Sequence, residues 1–162
     1  MRLSEGVEWS IHCVTVLALV PADLTMPGAR LAEFHGVPTA YLAKSLQALS
    51  RGGIIESVAG RRGGYRLARD AQTITVLDIV LAVEGEEPAF RCSEIRRRGP
   101  SAVPARLYTP VCGIAAAMWR AEEAWRAELA AVTVADLLNG LARSVSPESA
   151  VKAAVWMQEV LS

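Results

Sequence analysis

The stretch from residue 58 to residue 67, VAGRRGGYRL, constrains the fold more than any other part of the chain, because it holds three glycines and three arginines. Glycine adopts the positive φ angles of tight turns and lets the backbone approach another surface closely. The pattern predicts two short strands, about residues 54–59 and 64–67, joined by a turn with cationic side chains at its tip. Such arginines suit phosphate oxygens or a narrow groove, although an ordinary solvated hairpin has the same pattern.

Three helices are predicted before this hairpin. Ser4 is expected to cap a largely buried helix over residues 5–20, which Pro21 and the turn residues after it end. A short helix over residues 29–35 follows, and a third helix over residues 39–51 carries leucines along one face. A helix, a turn, a second helix and a basic hairpin make a winged helix-turn-helix, whose second motif helix enters the major groove of DNA.

The charge distribution favours nucleic acid as the partner. The whole chain has no net charge, yet residues 44–69 contain six basic residues and one acid. Such a cluster in a neutral chain is typical of a nucleic-acid-binding face, although each residue alone is more often part of a solvated surface. The third helix offers polar side chains opposite its leucines. The residues predicted to contact double-stranded DNA are Thr39, Tyr41, Lys44, Ser45, Arg51, Arg61, Arg62, Gly63, Gly64 and Tyr65.

The remainder of the chain is predicted to be helical, so the fold class is mainly α with a small β-hairpin wing. Another helix is expected over residues 76–83. Residues 86–110 then lose the hydrophobic period and hold several prolines, which is typical of a functional or disordered loop. We expect four segments: a winged helix-turn-helix domain over residues 1–85, a loop over 86–110, a long helix over 111–132 and C-terminal helices over 133–162.

The long helix over residues 111–132 has apolar residues that recur three and four positions apart. Such a stripe is more often part of an intramolecular core. Because this helix lies outside the winged domain and has few elements to pack on, we expect a dimer interface. Thr133 is expected to cap the next helix, and the sequence Ser146-Pro147-Glu148 is typical of a helix start.

Several classes of protein are excluded at this stage. No apolar run reaches the roughly 18 residues that a membrane span needs, and the N-terminus does not resemble a signal peptide, so we expect a cytoplasmic protein with no membrane partner. Three cysteines argue against a disulfide framework. An enzyme that uses a Cys/His pair is also disfavoured, because His12 and Cys13 point about 100° apart on a helix and no acid–base partner is evident.

These residues together resemble the Rrf-two family of winged-helix regulators, typified by IscR and NsrR. The likeness rests on Met1-Arg2-Leu3-Ser4, on residues 36–44 (GVPTAYLAK), on Gly63-Gly64-Tyr65 and on a cysteine beyond the following helix. It is most similar to actinobacterial redox-sensing members that hold a 2Fe–2S cluster. The resemblance implies a homodimeric repressor that binds a dyad DNA site and is switched by an iron–sulfur cluster in the loop.

The resemblance also suggests a ligand set. Cys92 and Cys112 bracket the loop, whereas many cluster-binding members have three closely spaced cysteines there. Some relatives use an acidic residue of the first helix of the partner subunit, a role that we carry over to Glu8. His12, one turn further along, completes a set of two sulfurs, one nitrogen and one oxygen. Cys13 is expected to be a core residue. Tetrahedral zinc would suit the same set, and a cluster-free member regulated by thiol oxidation or by a partner protein is the alternative.

A ligand set divided between two subunits has a mechanistic consequence. The state of the cluster would be tied to the geometry of the dimer, and this geometry sets the spacing of the two reading helices along the DNA. Trp9, next to Glu8, is a candidate redox relay, and an ordinary core tryptophan is the alternative interpretation.

Overall fold

The computed structural model describes residues 3–60, 63–108 and 111–162. Within these residues the chain forms seven α-helices and one two-stranded antiparallel sheet, which confirms the predicted fold class. None of the described helices is long and apolar enough to cross a membrane. The elements are α1 (Glu5–Leu17), α2 (Gly28–His35), α3 (Thr39–Arg51), β1 (Ile55–Val58), β2 (Gly64–Leu67), α4 (Val76–Glu84), α5 (Gly113–Ala130), α6 (Val134–Ser144) and α7 (Pro147–Leu161).

The chain divides into two compact units. Among the described residues, the larger unit holds 3–86 and 129–162, and the smaller unit holds 87–108 and 111–128. In the larger unit, α1 packs against α3 and α4, and α2 packs against α3. Their apolar faces form one core, in which the largest fully buried side chains include Leu17, Met26, Leu31, Leu42, Leu49 and Ile79.

Local chemistry explains where several of these helices begin and end. Gly36 ends α2 with a left-handed φ of 64°, a conformation that glycine adopts without a steric penalty. Thr75 and Thr133 each form a capping box, in which the threonine hydroxyl accepts a hydrogen bond from the backbone N–H three residues later. The two threonines also pair as an antiparallel bridge, so the starts of α4 and α6 are fixed side by side.

The first helix differs from the prediction at both ends. Ser4 occupies the N-cap position, but its side chain makes no capping hydrogen bond. Its hydroxyl instead donates to Glu84 Oε1 at 2.6 Å, across 80 residues of sequence. The helix ends at Leu17, because the N–H groups of Leu19 and Val20 bond three residues back and tighten the chain into a turn before Pro21.

The two strands of the hairpin pair antiparallel, with Ile55 opposite Leu67 and Val58 opposite Gly64. Gly60 starts the turn with a φ of 111°. Arg61 and Arg62, which were predicted to carry the charge of the wing, lie outside the described residues. The base of the hairpin is tied to the larger unit by two backbone hydrogen bonds between Met26 and Tyr65, of 2.8 and 2.9 Å.

The smaller unit holds the loop predicted to lack regular structure. Its described part contains two single-turn 3-10 helices, Ile95–Arg97 and Ala105–Leu107, and most of α5. An ion pair lies along α5, where Arg126 Nη2 is 2.8 Å from Glu122 Oε1. Glu122 also accepts a hydrogen bond of 3.1 Å from the backbone N–H of Ala89, so the pair holds the start of the loop against the helix.

Candidate nucleic-acid interface and cysteine pair

The polar face of α3 is open to solvent. The side chains of Thr39, Lys44 and Arg51 are exposed, and Tyr41 is 61% exposed although it is aromatic. A tyrosine and two cations on one helix face offer a hydrogen-bonding ring and two phosphate-binding groups. Four of the five residues predicted on this helix are therefore accessible to a ligand the size of DNA.

Ser45 is the exception, and its prediction as a residue of the open face is wrong. Its side chain is only 6% exposed. It lies three residues after Leu42 and four before Leu49, so it shares their buried stripe. The helix α1 passes close to it, because a Cβ added at Gly6 would lie 3.3 Å from Ser45 Oγ. A small residue is needed here for the two helices to pack.

Trp9 connects the first helix to this polar face. Its ring meets the ring of Tyr41 edge to face, with centroids 6.4 Å apart and an interplanar angle of 77°. The ammonium group of Lys44 lies over the ring of Tyr41, 5.8 Å from its centroid. A rotation of Trp9 would therefore act directly on a side chain of α3.

The hairpin contributes less free charge than the sequence suggests. Arg66 Nε lies 2.6 Å from Glu56 Oε1 on the opposite strand, and Arg69 Nη2 lies 3.4 Å from Asp78 Oδ2. Two of the six basic residues counted between residues 44 and 69 thus form ion pairs within the molecule. Tyr65, predicted to contact DNA, is half-buried and packs against the core.

The glycines of the hairpin are required by the fold itself. A Cβ added at Gly63 would lie 2.4 Å from the carbonyl oxygen of Val58, and one added at Gly64 would lie 2.6 Å from the carbonyl oxygen of Met26. Both distances are far below van der Waals contact and involve backbone atoms, which have no rotamer to change. Gly63 and Gly64 therefore set the shape of the wing, whatever the wing contacts.

The first helix carries the predicted ligands Glu8 and His12 on its exposed side. Cys13 is fully buried, and burial raises its pKa to about 12, so the expectation that it is a core residue is confirmed. The His12 ring lies 5.6 Å from the His35 ring. Burial, and then the charge of His12, lower the pKa of His35. The sequence did not indicate that the only two histidines of the chain would meet.

Cys112 lies immediately before α5, where backbone N–H groups point at its sulfur. Hydrogen bonds from the N–H groups of Ala115 and Ile114 lower the pKa of Cys112, and the charge of Arg96 lowers it further. A cysteine at a helix N-terminus beside a cation favours the thiolate, which is the form that binds metals and reacts with oxidants.

Arg96 brings this cysteine together with Cys92. The charges of both sulfurs act on its guanidinium, which also donates to Glu94 at 2.9 and 3.0 Å and lies over the ring of Tyr108. Glu94 in turn lies 3.5 Å from Cys92 Sγ. Arg96 Nε is buried and has no hydrogen-bond partner among the described residues. In the smaller unit, both thiols therefore act electrostatically on one cation, and this cation has an unpaired N–H donor among the described residues.

The pair of thiols fits the soft-ligand half of an iron–sulfur site, and the spare donor of Arg96 suits a sulfur acceptor. Among the residues that the structure describes, no three His, Cys, Asp or Glu side chains gather as a metal site within one chain. A set of four protein ligands would have to draw on residues beyond this pair, and Glu8 and His12 are chemically suitable.

Glu94, Arg96 and Tyr108 were not predicted as site residues. The only signal was the basic run of residues 96–98 in a loop without hydrophobic periodicity. Tyr108 holds the loop by donating its hydroxyl proton to the carbonyl oxygen of Arg96 at 2.6 Å and accepting from the N–H of Val103 at 3.0 Å. These contacts join residues up to twelve positions apart, beyond the reach of local patterns.

Comparison with known proteins gives consistent matches. Residues 3–140 match the family model described as "Rrf2: Iron-dependent Transcriptional regulator". The putative HTH-type transcriptional regulator YffB of Lactococcus lactis is 34% identical over 91 residues, which are 56% of this chain and 58% of that protein. Protein aau3 of Rhizobium meliloti is 32% identical over 140 residues, 86% of either chain. The solved structure of T. potens IscR superposes with a TM-score of 0.66 at 20% identity, over 90% of this chain and 92% of that one, which shows a shared fold.

Proposed function

The chain belongs to the Rrf2 family of transcriptional regulators, and from that premise we propose a homodimeric repressor whose DNA affinity follows the state of a 2Fe–2S cluster. DNA-binding regulation is the function of the family, and its relatives are regulators and not enzymes. The observation that supports DNA binding is the solvent-exposed polar face of α3, together with the wing, whose shape is set by its glycines. We also propose a cytoplasmic location, because a regulator of transcription must reach DNA.

We propose that α3 enters the major groove and that the wing, with Arg61 and Arg62, reaches the flanking backbone. Lys44→Ala should weaken DNA binding and reduce the slope of log K against log salt by about 1, because one phosphate contact is lost. The double variant Arg61→Ala/Arg62→Ala should reduce it by about 2. Lys152→Ala is the matched control, since Lys152 is exposed on α7 and pairs only with Glu148 among the described residues. Equal slopes in all variants would contradict the proposed interface.

The homodimer is proposed from the exposed apolar residues of α5. Ile114 is 71% exposed, and Met118 and Trp119 are each 44% exposed. Contiguous apolar side chains on a helix are typical of an interaction surface. A second copy of α5 would bury them and place two reading helices on a dyad site. Ile114→Asp should shift the sedimentation coefficient towards the monomer, whereas Ala124→Asp, an exposed alanine of the same helix, should leave it unchanged.

We propose that Cys92 and Cys112 of one subunit and Glu8 and His12 of the other form the ligand set. A bound 2Fe–2S cluster would supply one-electron redox chemistry. The lowered pKa of Cys112 favours its thiolate form at the helix start, and the guanidinium of Arg96 offsets negative charge on the two sulfurs. His12, an imidazole, can couple proton to electron transfer. The family description, with its word iron-dependent, supports this part of the proposal.

Metal content and colour test the ligand set. Protein purified without oxygen should contain iron and absorb visible light, and Cys92→Ser and Cys112→Ser should lose both. Cys13→Ser is the matched control, because this thiol is buried in the core of the larger unit and should not be needed for colour. A wild-type protein that is colourless and free of iron would refute the cluster, and zinc in its place would support the tetrahedral alternative.

A cluster-free regulator is the second candidate, and the lowered pKa of Cys112 favours it, since thiolates are oxidised more readily than thiols. In this case metal-free protein should bind DNA, and peroxide should change its affinity only while Cys112 is present. A partner protein is the other source of control in such a member. Binding that depends on iron and ignores peroxide would exclude this candidate.

Trp9 is proposed as the link between the ligand helix and α3, since its ring lies against Tyr41. Trp9→Leu should keep the visible absorbance and reduce the difference in DNA affinity between the oxidised and reduced states. Anisotropy titrations of labelled DNA in both states measure this difference. An unchanged ratio would show that Trp9 is an ordinary packing residue.

A further inference from the structure

A cavity of about 740 Å³ lies within the larger unit, between α1, the end of α2, the end of α6 and the first half of α7. Its volume falls in the range of small-molecule sites, roughly 300–1,000 Å³. Most of its walls are apolar. The side chains that form them include Val16, Leu19, Phe34, Leu141, Val145 and Met157.

The second half of α7 packs against the rest of the larger unit. Trp156 packs its ring on Phe34, with centroids 5.0 Å apart, and Val160 and Leu161 pack against the core. At the middle of the same helix, Ala153 and Ala154 line the cavity. Alanine side chains are too short to reach α1 across this space. The second half of α7 therefore fixes the position of the helix, while the space beside the alanines stays unfilled.

One polar atom in this region lacks a partner. His35 Nε2 is buried and makes no hydrogen bond among the described residues. Buried polar atoms in native proteins are nearly always hydrogen-bonded, so an unpaired one calls for an explanation. Beside it in the lining are a second imidazole, His12, and the hydroxyl groups of Thr15 and Ser149. In the part of the chain that the structure describes, no Asp, Glu, Lys or Arg lines the cavity, so a single weakly acidic group would meet hydrogen-bonding groups and no like charge.

We propose that this cavity binds a small amphipathic carboxylate. Its carboxylate accepts a hydrogen bond from His35, and its hydrocarbon part lies against the apolar side chains of α1, α2 and α7. Phosphates are disfavoured, because no arginine or lysine among the described residues lines the space to pair with a second negative charge. This site goes beyond the DNA-binding and cluster functions proposed above. We leave His12 out of the anchor, since it has a role in the proposed cluster.

Calorimetric titration of the full-length protein with decanoate tests the proposal, and 1-decanol is the neutral probe of equal length. Decanoate should bind at one site per chain and more tightly than 1-decanol. His35→Phe keeps an aromatic ring of similar size but has no hydrogen-bonding nitrogen. It should weaken decanoate roughly tenfold, the effect of one hydrogen bond to a charged group, and leave 1-decanol unchanged. Equal affinity for the acid and the alcohol would overturn the assignment of His35.

A filled cavity provides the second variant. Ala153→Leu should abolish binding of both probes while the thermal unfolding midpoint stays at or above that of the wild type, because the side chain enters existing space. Ala29→Leu, on the exposed side of α2, is the matched control and should bind normally. Unchanged binding in Ala153→Leu would place the probe elsewhere and refute the site. If the wild type binds neither probe and Ala153→Leu changes the dimerisation constant, then the cavity is occupied by a second copy of the chain. This result would refute the proposal.

These outcomes do not depend on the proposed ligand set. Calorimetry measures the carboxylate site directly, whereas colour and iron content measure the cluster. Loss of colour in Cys92→Ser with normal decanoate binding would support both the cluster ligand set and the carboxylate site. If one of the two assignments fails, the other is still decided by its own experiment.

Discussion

Gly64→Ala tests how the wing is held against the larger unit. Gly64 begins β2 opposite Val58, and a Cβ added there would lie 2.6 Å from the carbonyl carbon and oxygen of Met26 and 2.9 Å from the nitrogen of Pro27. All three are backbone atoms, so no rotamer change relieves the clash. The strand must instead move away from residues 26–27, where the two hydrogen bonds between Met26 and Tyr65 are made.

The magnitude follows from that movement. Overpacking a well-packed site destabilises a protein by about 1–3 kcal/mol. Loss of the two backbone hydrogen bonds destabilises the protein by about the same amount. The expected loss of stability is therefore similar whether the strand stays in place under strain or moves away. Replacing glycine also restricts the unfolded chain, which offsets about 0.4–1 kcal/mol. We expect a net loss of about 1–2 kcal/mol in the free energy of unfolding, equivalent to a fall of about 2–8 °C in Tm for a chain of this size.

Urea denaturation followed by circular dichroism measures this change. Gly140→Ala is the matched control, because Gly140 lies within α6 and a Cβ added there meets nothing within 4 Å. The same chemical change should stabilise the protein there by about 0.5–1 kcal/mol, since glycine is unfavourable in a helix interior. If Gly64→Ala is as stable as the wild type, or is stabilised like the control, then β2 does not lie against Met26 and the reasoning is refuted.

Three further outcomes are expected. In metal-free protein, the rate at which iodoacetamide modifies Cys112 should rise with pH and have its midpoint below pH 9.0. Cys13 has a pKa of about 12, so at pH 8 on the order of one Cys13 thiol in ten thousand is ionised, and this residue should stay unmodified. Peptide mass spectrometry measures both rates, and equal rates would contradict the assigned environments. Arg96→Gln should raise the midpoint of Cys112 modification, because the cation that favours the thiolate is lost. An unchanged pH profile would show that the helix N-terminus alone lowers the pKa of Cys112. Thr75→Ala and Thr133→Ala should each lower the free energy of unfolding by about 1 kcal/mol in urea titrations, and serine at either position should restore most of it.

Much of the fold was predictable because its signals are local. The glycine at the end of α2, the threonine before α6 and the Ser146-Pro147 start of α7 act on backbone groups within four residues. The bounds of α3 and β2 agree with the prediction for the same reason. The end of α1 was predicted three residues too far, because apolar residues continue through a turn that no longer has helical hydrogen bonds.

The candidate site was less accessible from sequence. The cysteines and the polar residues of α3 were found by residue type and spacing, but Ser45 was assigned to the wrong face. Its hydroxyl suggested an exposed position, whereas its place between two leucines of one stripe decides its burial. The cation shared by Cys92 and Cys112 was overlooked, since a run of three arginines in a loop does not indicate which of them turns inward.

The sequence by itself determined the order of helices, the antiparallel hairpin and the residue types available for DNA and metal, because short-range backbone chemistry and hydrophobic periodicity decide these. Tertiary structure alone decided which of those residues meet. Ser4 bonds Glu84 across 80 residues, His12 meets His35, and α7 stands off from α1 to leave a cavity. Contacts of this kind depend on how whole helices pack, and no local pattern encodes the distance between two helices.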